Sequence, residues 1–118
     1  MDSVKKQCYD LVQEIVLMRD ISCRAPGCVG EVSTAGHHIF GRGNLSTAFD
    51  LRYVWGMCLG FHGWAHRQPD QFREWVISSM GEEQYYTALR LSNTVVKNLD
   101  FEEIRDGLRA IAAKFKLK

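Results

Sequence analysis

The chain has 118 residues, with 15 Lys or Arg against 14 Asp or Glu, so its formal net charge is +1. This length suits one domain, residues 1–118, and excludes a chain of several large domains. Because there is no overall basic excess, binding of nucleic acid would require local segregation of charge. No apolar run approaches the roughly 20 residues of a membrane span, and the N-terminus lacks a signal-peptide pattern. We therefore expect a cytoplasmic protein without a membrane partner.

Residues 1–19 are predicted to form an amphipathic helix. Ser3 is a suitable N-cap. Apolar side chains recur at helical spacing along one stripe, formed by Val4, Cys8, Leu11, Val12, Ile15 and Val16. Cys8 belongs to this stripe, and we interpret it as a buried core thiol rather than a metal ligand.

Residues 20–68 divide into short segments separated by glycines, which predicts turns between short strands. Residues 53–58, YVWGMC, are the best strand candidate because they are aromatic and β-branched. Residues 59–67 suit a short helix. This region is therefore expected to contain a small unit of two strands and a helix.

Residues 69–118 predict about three helices. Pro69 suits the first position of one helix, Gly81 interrupts the pattern, and a second apolar periodicity follows it. Asp100 and Glu103 resemble a capping box for a last helix that runs to about residue 116. The predicted class is α+β, with the small strand and helix unit packed among the N-terminal and C-terminal helices.

The histidines are concentrated in one part of the chain. All four lie between residues 37 and 66. His62 and His66 are four residues apart, so on a helix both rings lie on one face and can reach one cation. Such a cluster indicates a metal site rather than isolated core or surface histidines. Gly63 follows the first of them where a zinc protease needs Glu, and Cys28 is too distant from His62 for a two-Cys, two-His finger.

His37 and His38 are adjacent, and neighbours on an extended strand point to opposite faces. One of them can therefore bind the metal while the other faces a substrate. Three imidazole ligands leave coordination positions open, as is typical of a catalytic metal. A free imidazole beside such an ion is a suitable general base for activating water. Together these groups predict cleavage of a phosphodiester bond.

A family resemblance is carried by His37-His38-Ile39, by a strand ending in GMC, and by His62-x3-His66. This arrangement resembles the HNH endonucleases, which are also called ββα-metal or His-Me finger nucleases. The wider chain, with AGHHIFGR, FDLRYVWGMC and PDQFREWVISSMGEEQYYTALRLS, is similar to phage-encoded HNH proteins of the NinG/Rap recombination-nuclease kind. The resemblance covers roughly residues 20–92, and the first and last helices add little to it.

The resemblance implies a ββα-metal unit over residues 20–68 and a metal-dependent DNA endonuclease in a bacterial host cell. It implies that His37, His62 and His66 bind one divalent ion (Mg, Mn, Zn or Ni) and that His38 is the general base. The roles of His37 and His38 could be exchanged. Arg42 is either a phosphate contact or a solvated loop arginine. The implied partner is DNA, branched or a recombination intermediate, and the protein could form a homo-oligomer.

One departure from the family concerns its middle Asn, which falls on Tyr53. That Asn normally ties down the loop that carries the base. Either Tyr53 holds the loop differently, or Asn44 substitutes for the missing side chain.

A second departure concerns the zinc knuckle that family members often carry. The pair Cys23-x4-Cys28 is intact, but the second pair reads Cys58-x2-Phe61. Cys23, Cys28 and Cys58 therefore form either a structural zinc site completed by another residue or a set of buried free thiols. The two departures motivate an alternative function, a catalytically degenerate HNH-fold module that binds DNA or protein.

Overall fold

The computed structural model describes residues 3–24 and 31–117. Within these ranges the chain is mostly helical and has one small antiparallel sheet of two strands, which confirms the predicted α+β class. None of the described helices combines the length and the apolar character needed to cross a bilayer. The elements in chain order are α1 (Val4–Arg19), β1 (Ala35–His38), α2 (Leu45–Ala48), a 3-10 helix (Leu51–Tyr53), β2 (Val54–Met57), α3 (Leu59–Arg67), α4 (Pro69–Met80), α5 (Glu82–Ser92) and α6 (Phe101–Lys116).

The predicted helix starts agree with the structure. The Ser3 hydroxyl accepts the Lys6 N–H at 3.1 Å, and the Asp100 carboxylate accepts the Glu103 N–H at 3.1 Å. Each bond satisfies one of the amides that a helix start leaves without a partner. α4 begins at Pro69, whose missing N–H costs nothing at that position. α2 and the 3-10 helix were not predicted, because segments of four and three residues are too short to show a periodicity.

The sheet separates two apolar clusters. β1 and β2 pair antiparallel, with His37 opposite Trp55 and His38 opposite Val54. The Trp55 side chain packs with residues of α3, α4 and α5, whereas Val54 packs with α1 and α6. Because successive side chains of a strand point to opposite faces, His37 and His38 are directed toward different clusters.

α1 closes the free edge of β1 through Gln13. Its side-chain amide donates to the Gly36 carbonyl at 2.9 Å, and its carbonyl oxygen accepts the Gly36 N–H at 2.7 Å. These are the two bonds that a neighbouring antiparallel strand would supply. A Cβ at Gly36 would lie 3.1 Å from side-chain carbons of Val16 and Val54, so glycine permits the close approach of α1. α1 therefore fixes the strand that carries the histidine pair.

The predicted core stripe of α1 is buried at its centre. Cys8, Val12, Ile15 and Val16 have no exposed surface and pack against α6 and Val54. The Cys8 thiol donates to the Phe101 carbonyl at 3.3 Å, and burial raises its pKa. The prediction that Cys8 is a core thiol is confirmed.

Candidate metal centre

Three imidazoles from two elements converge beside the sheet. His37 comes from β1, and His62 and His66 come from successive turns of α3. The ring centroid of His37 lies 5.0 Å from each of the other two, which are 4.7 Å apart. One nitrogen of each ring lies within 4.8 Å of the others, so the group could hold a metal ion.

The donor set fits a divalent ion that prefers nitrogen ligands. The Nε2 atoms of His62 and His66 are 3.0 Å apart. Two nitrogens of a tetrahedral zinc site are separated by about 3.3 Å, given zinc–nitrogen bonds of about 2.0–2.1 Å. The separation of the His62 and His66 nitrogens is therefore close to that of two ligands in such a site. A set of imidazoles alone favours Zn²⁺ or Ni²⁺ over Mg²⁺ in affinity.

The surroundings of His37 and His62 favour the neutral form of these two imidazoles. Burial, followed by repulsion from His62, His66 and His38, lowers the pKa of His37 from 6.5 to about 4. Burial, followed by repulsion from His66, also lowers the pKa of His62. A metal ligand must present an unprotonated nitrogen. At neutral pH these two rings are therefore ready to bind a cation without first losing a proton.

Phe72 of α4 supports the ring of His37. The two rings meet edge to face at a centroid distance of 4.9 Å. Phe72 in turn packs against Phe61 of α3 at 6.2 Å and against Trp75 at 5.8 Å. Nothing in the spacing of Phe72 along the sequence indicated contact with a metal ligand.

His38 lies on the other face of β1, outside the group of three imidazoles. Its ring meets the ring of Tyr9, from α1, nearly edge to face at 6.0 Å. Its Nδ1 is buried and has no hydrogen-bond partner among the described residues. Burial and the positive charge of Arg42 lower the pKa of His38. At neutral pH His38 therefore carries a free lone pair and can accept a proton.

One cavity of about 790 Å³ is lined by residues from both faces of β1. The three candidate ligands, His38 and side chains from α1 and α4 all line it. Its described charged residues are Asp10, Arg42 and Arg73, and Asp10 is already paired with Lys6 at 2.8 Å. The remaining charges are cationic, so the cavity suits an anionic ligand.

The turn after His38 is closed by Asn44. The Asn44 side-chain amide donates to the Phe40 carbonyl, and the Gly41 N–H donates to the His38 carbonyl at 3.1 Å. Gly41 has a φ of +90°, a conformation that glycine adopts without the strain of a Cβ. Asn44 therefore forms a side-chain bond within the segment that follows the candidate base.

Tyr53, which the resemblance to HNH nucleases aligns with their middle Asn, contacts the same turn in a different way. Its carbonyl accepts the Ile39 N–H at 2.9 Å, and its ring packs edge to face against Phe40 at 5.6 Å. The Arg52 guanidinium lies 4.9 Å from the centre of the Tyr53 ring. Tyr53 thus holds the turn through its backbone and ring rather than through a side-chain amide.

Two of the three cysteines predicted to share a site lie among the described residues. Cys23 and Cys58 are both buried and belong to the apolar cluster that contains Trp55. The Cys58 sulfur accepts the Phe61 N–H at 3.4 Å at the start of α3. Cys28 lies outside the described residues, so the predicted structural zinc at these cysteines stays a prediction.

The chain was compared with protein-family models, with curated proteins and with solved structures, and none of the three gave a match. Any assignment of function therefore depends on the geometry and chemistry of the residues described above.

Proposed function

We propose that the protein is a metal-dependent DNA endonuclease of the HNH type, acting in phage or prophage recombination or DNA processing. One observation carries the proposal. The neighbours His37 and His38 lie on opposite faces of β1, one within the group of three imidazoles and the other outside it, yet both line one cavity. This is the separation of roles expected of a metal ligand and a general base.

The order of elements supports the same proposal. β1 and β2 form an antiparallel hairpin-like pair, α3 follows β2 directly, and the candidate ligands lie on β1 and α3. A ββα-metal unit has this arrangement, in which the sheet presents one ligand to a helix that presents two. The arginines that line the cavity add the positive charge that a nucleic-acid backbone requires.

In the proposed reaction, water attacks the phosphorus and the bond to a 3′ oxygen breaks. His38 accepts the proton that the attacking water loses, because its lowered pKa leaves the imidazole neutral at pH 7. His37, His62 and His66 would hold a divalent ion, which when bound would supply Lewis-acid stabilisation of the developing negative charge. The leaving 3′ oxygen takes a proton from solvent, so the products are a 5′ phosphate monoester and a 3′ alcohol.

Arg42 is proposed to contact a phosphate beside the scissile bond. Its side chain is exposed, lines the cavity and lies close enough to the His38 ring to influence its pKa. A guanidinium offers two parallel N–H groups that match two phosphate oxygens. Arg42 would therefore orient the backbone of the nucleic acid next to the candidate base.

The proposal is tested with supercoiled plasmid and with a four-way DNA junction, each incubated with Mg²⁺, Mn²⁺, Ni²⁺ or Zn²⁺. We expect nicking or linearisation with at least one ion and none after chelation by EDTA. Faster cleavage of the junction would identify branched DNA as the substrate. Retained DNA binding without cleavage by any of the four ions would instead identify the catalytically degenerate binding module, which the replacement of the family's Asn by Tyr53 favours.

A further inference from the structure

Tyr9 of α1 makes two contacts with Arg42, which follows β1, and one with His38, the last residue of β1. Its hydroxyl donates to the Arg42 carbonyl at 2.7 Å. Its ring lies under the Arg42 guanidinium, 4.3 Å from the ring centre. The same ring meets the ring of His38 nearly edge to face at 6.0 Å. One buried side chain thus contacts both the backbone and the side chain of Arg42 as well as the candidate base.

The Tyr9 ring is itself fixed by its surroundings. Tyr9 is 8% exposed, and its ring packs against Phe49 at 4.8 Å. Gln13, one helical turn further along α1, pairs with both backbone groups of Gly36. Residues four apart lie on one face of a helix. α1 therefore presents one face that holds β1 near its start and the turn beyond its end.

We propose that Tyr9 is a positioning residue, which directs the Arg42 guanidinium and the turn that follows His38 toward the cavity. The expected effect of Tyr9 on cleavage rests on the proposed function. It makes α1 a part of the functional site, although α1 lies outside the segment that resembles the HNH nucleases.

The physical reason is the freedom of an exposed arginine. An arginine side chain that contacts only solvent populates many rotamers. Stacking on a fixed aromatic ring limits these rotamers, and the hydroxyl bond limits the backbone from which the side chain extends. With both restraints the guanidinium is already placed when a phosphate arrives, which reduces the ordering needed on binding.

Two substitutions separate these restraints. Tyr9→Phe removes the hydroxyl bond but keeps the ring, whereas Tyr9→Leu removes both. Tyr86→Phe is the matched control, because Tyr86 is exposed on α5 and loses the same hydroxyl group. Each variant is assayed for amide hydrogen exchange, affinity for Co²⁺ or Zn²⁺, and kcat and KM for plasmid cleavage.

In Tyr9→Phe we expect exchange at the Gly41 and Asn44 amides to rise about 3- to 10-fold, the effect of one lost hydrogen bond. In Tyr9→Leu we expect a larger rise and a fall in kcat of about 10- to 100-fold, because the reacting groups are misplaced. Metal affinity and exchange in α6 should stay at the parent values. Adding Tyr9→Leu to Arg42→Ala should lower kcat by less than it does in the parent, because the two residues act through one contact.

The outcomes distinguish the two proposals. If the parent cuts no DNA but exchange at Gly41 and Asn44 rises selectively, the endonuclease proposal fails and the positioning role stands. Unchanged exchange at these amides in both variants overturns the positioning role, whether or not the parent cuts DNA. An equal rise in amide exchange in α6 also overturns the positioning role, because the substitution then promotes global unfolding. If Tyr9→Leu does not fold, Tyr9→Phe decides the question alone.

Discussion

His62 and His66 place their Nε2 atoms 3.0 Å apart on one face of α3. This is a local relationship, since any helix brings side chains four residues apart onto the same face. The third imidazole, His37, arrives from β1, and its ring is held against Phe72 of α4. The candidate centre therefore depends on one helix for a pair of donors and on the docking of the sheet for the third.

The first prediction concerns metal content. His62→Ala and His66→Ala each remove one of three donors, so we expect affinity for Zn²⁺ or Ni²⁺ to fall by at least the roughly 10- to 100-fold typical of a lost outer-shell partner. His38→Ala is the matched control and should keep the ion. Elemental analysis and competition titration measure the change. Parent-like metal content in both ligand variants would exclude this site.

The second prediction separates the two adjacent histidines. His38→Ala leaves the three ligands in place, so folding, metal content and DNA binding should be retained. Cleavage should fall by about 10²–10⁴-fold, the usual contribution of a general base. His37→Ala removes a ligand, so metal affinity and cleavage should fall together. Metal titration and nicking assays on both variants check this.

Two results would contradict the assignment of these roles. If His38→Ala loses the metal while His37→Ala keeps it, the roles of the two residues are exchanged. If both variants cut DNA at the parent rate, the cavity is not a nuclease centre.

The third prediction concerns the turn beyond His38. Asn44→Ala removes the side-chain bond to the Phe40 carbonyl, so we expect cleavage to slow by about 10-fold because the turn loses one of its internal hydrogen bonds. Gly43→Ala is the control from the same turn, since beyond its chain neighbours no atom of the described residues lies within 4 Å of the added Cβ. Steady-state cleavage rates and amide exchange at Gly41 report the effect. Equal rates in both variants would show that Asn44 does not replace the family's Asn.

The fourth prediction concerns two glycines with opposite surroundings. A Cβ at Gly56 would lie 2.6 Å from the Cβ of Asp20, whose carboxylate accepts the Gly56 N–H at 2.9 Å. We expect Gly56→Ala to lower the free energy of unfolding by about 1–3 kcal/mol, as overpacking does. Gly107 lies in the middle of α6 with open space around it, so Gly107→Ala should raise that free energy by about 0.5–1 kcal/mol. Urea denaturation measures both, and a stabilising Gly56→Ala would contradict the packing described.

The fifth prediction concerns the stability of the metal-free protein at low pH. The pKa of His37 is about 4 in the folded protein and 6.5 without the effect of folding. Between these values the unfolded chain binds more protons, so the free energy of unfolding should fall as the pH is lowered from about 6.5 to 4. Above pH 6.5 the contribution of the neutral imidazole to the free energy of unfolding is fully present. Urea denaturation at several pH values measures how the free energy of unfolding changes with pH. His37→Gln should make this change smaller, and an unchanged pH dependence in the variant would assign the effect to other groups.

Several elements were predictable from sequence because the interactions that define them are local. The helix over residues 59–67, the start of α4 at Pro69 and the capped start of α6 at Asp100 all agree with the structure. Caps, proline positions and the spacing of His62 and His66 depend on residues within one helical turn, so they are visible in a short window of sequence.

The tertiary structure decided what joins these elements. The bonds between Gln13 and Gly36, the contacts of Tyr9 with Arg42, and the placement of His37 beside α3 connect positions that are distant in the chain. No periodicity records such contacts, because each depends on the packing of α1 and α3 against opposite faces of a sheet with only four residues in each strand. The sequence by itself indicated a histidine cluster suited to a metal and paired His62 with His66 on one helix, but only the sheet determined that His37 joins them and His38 does not.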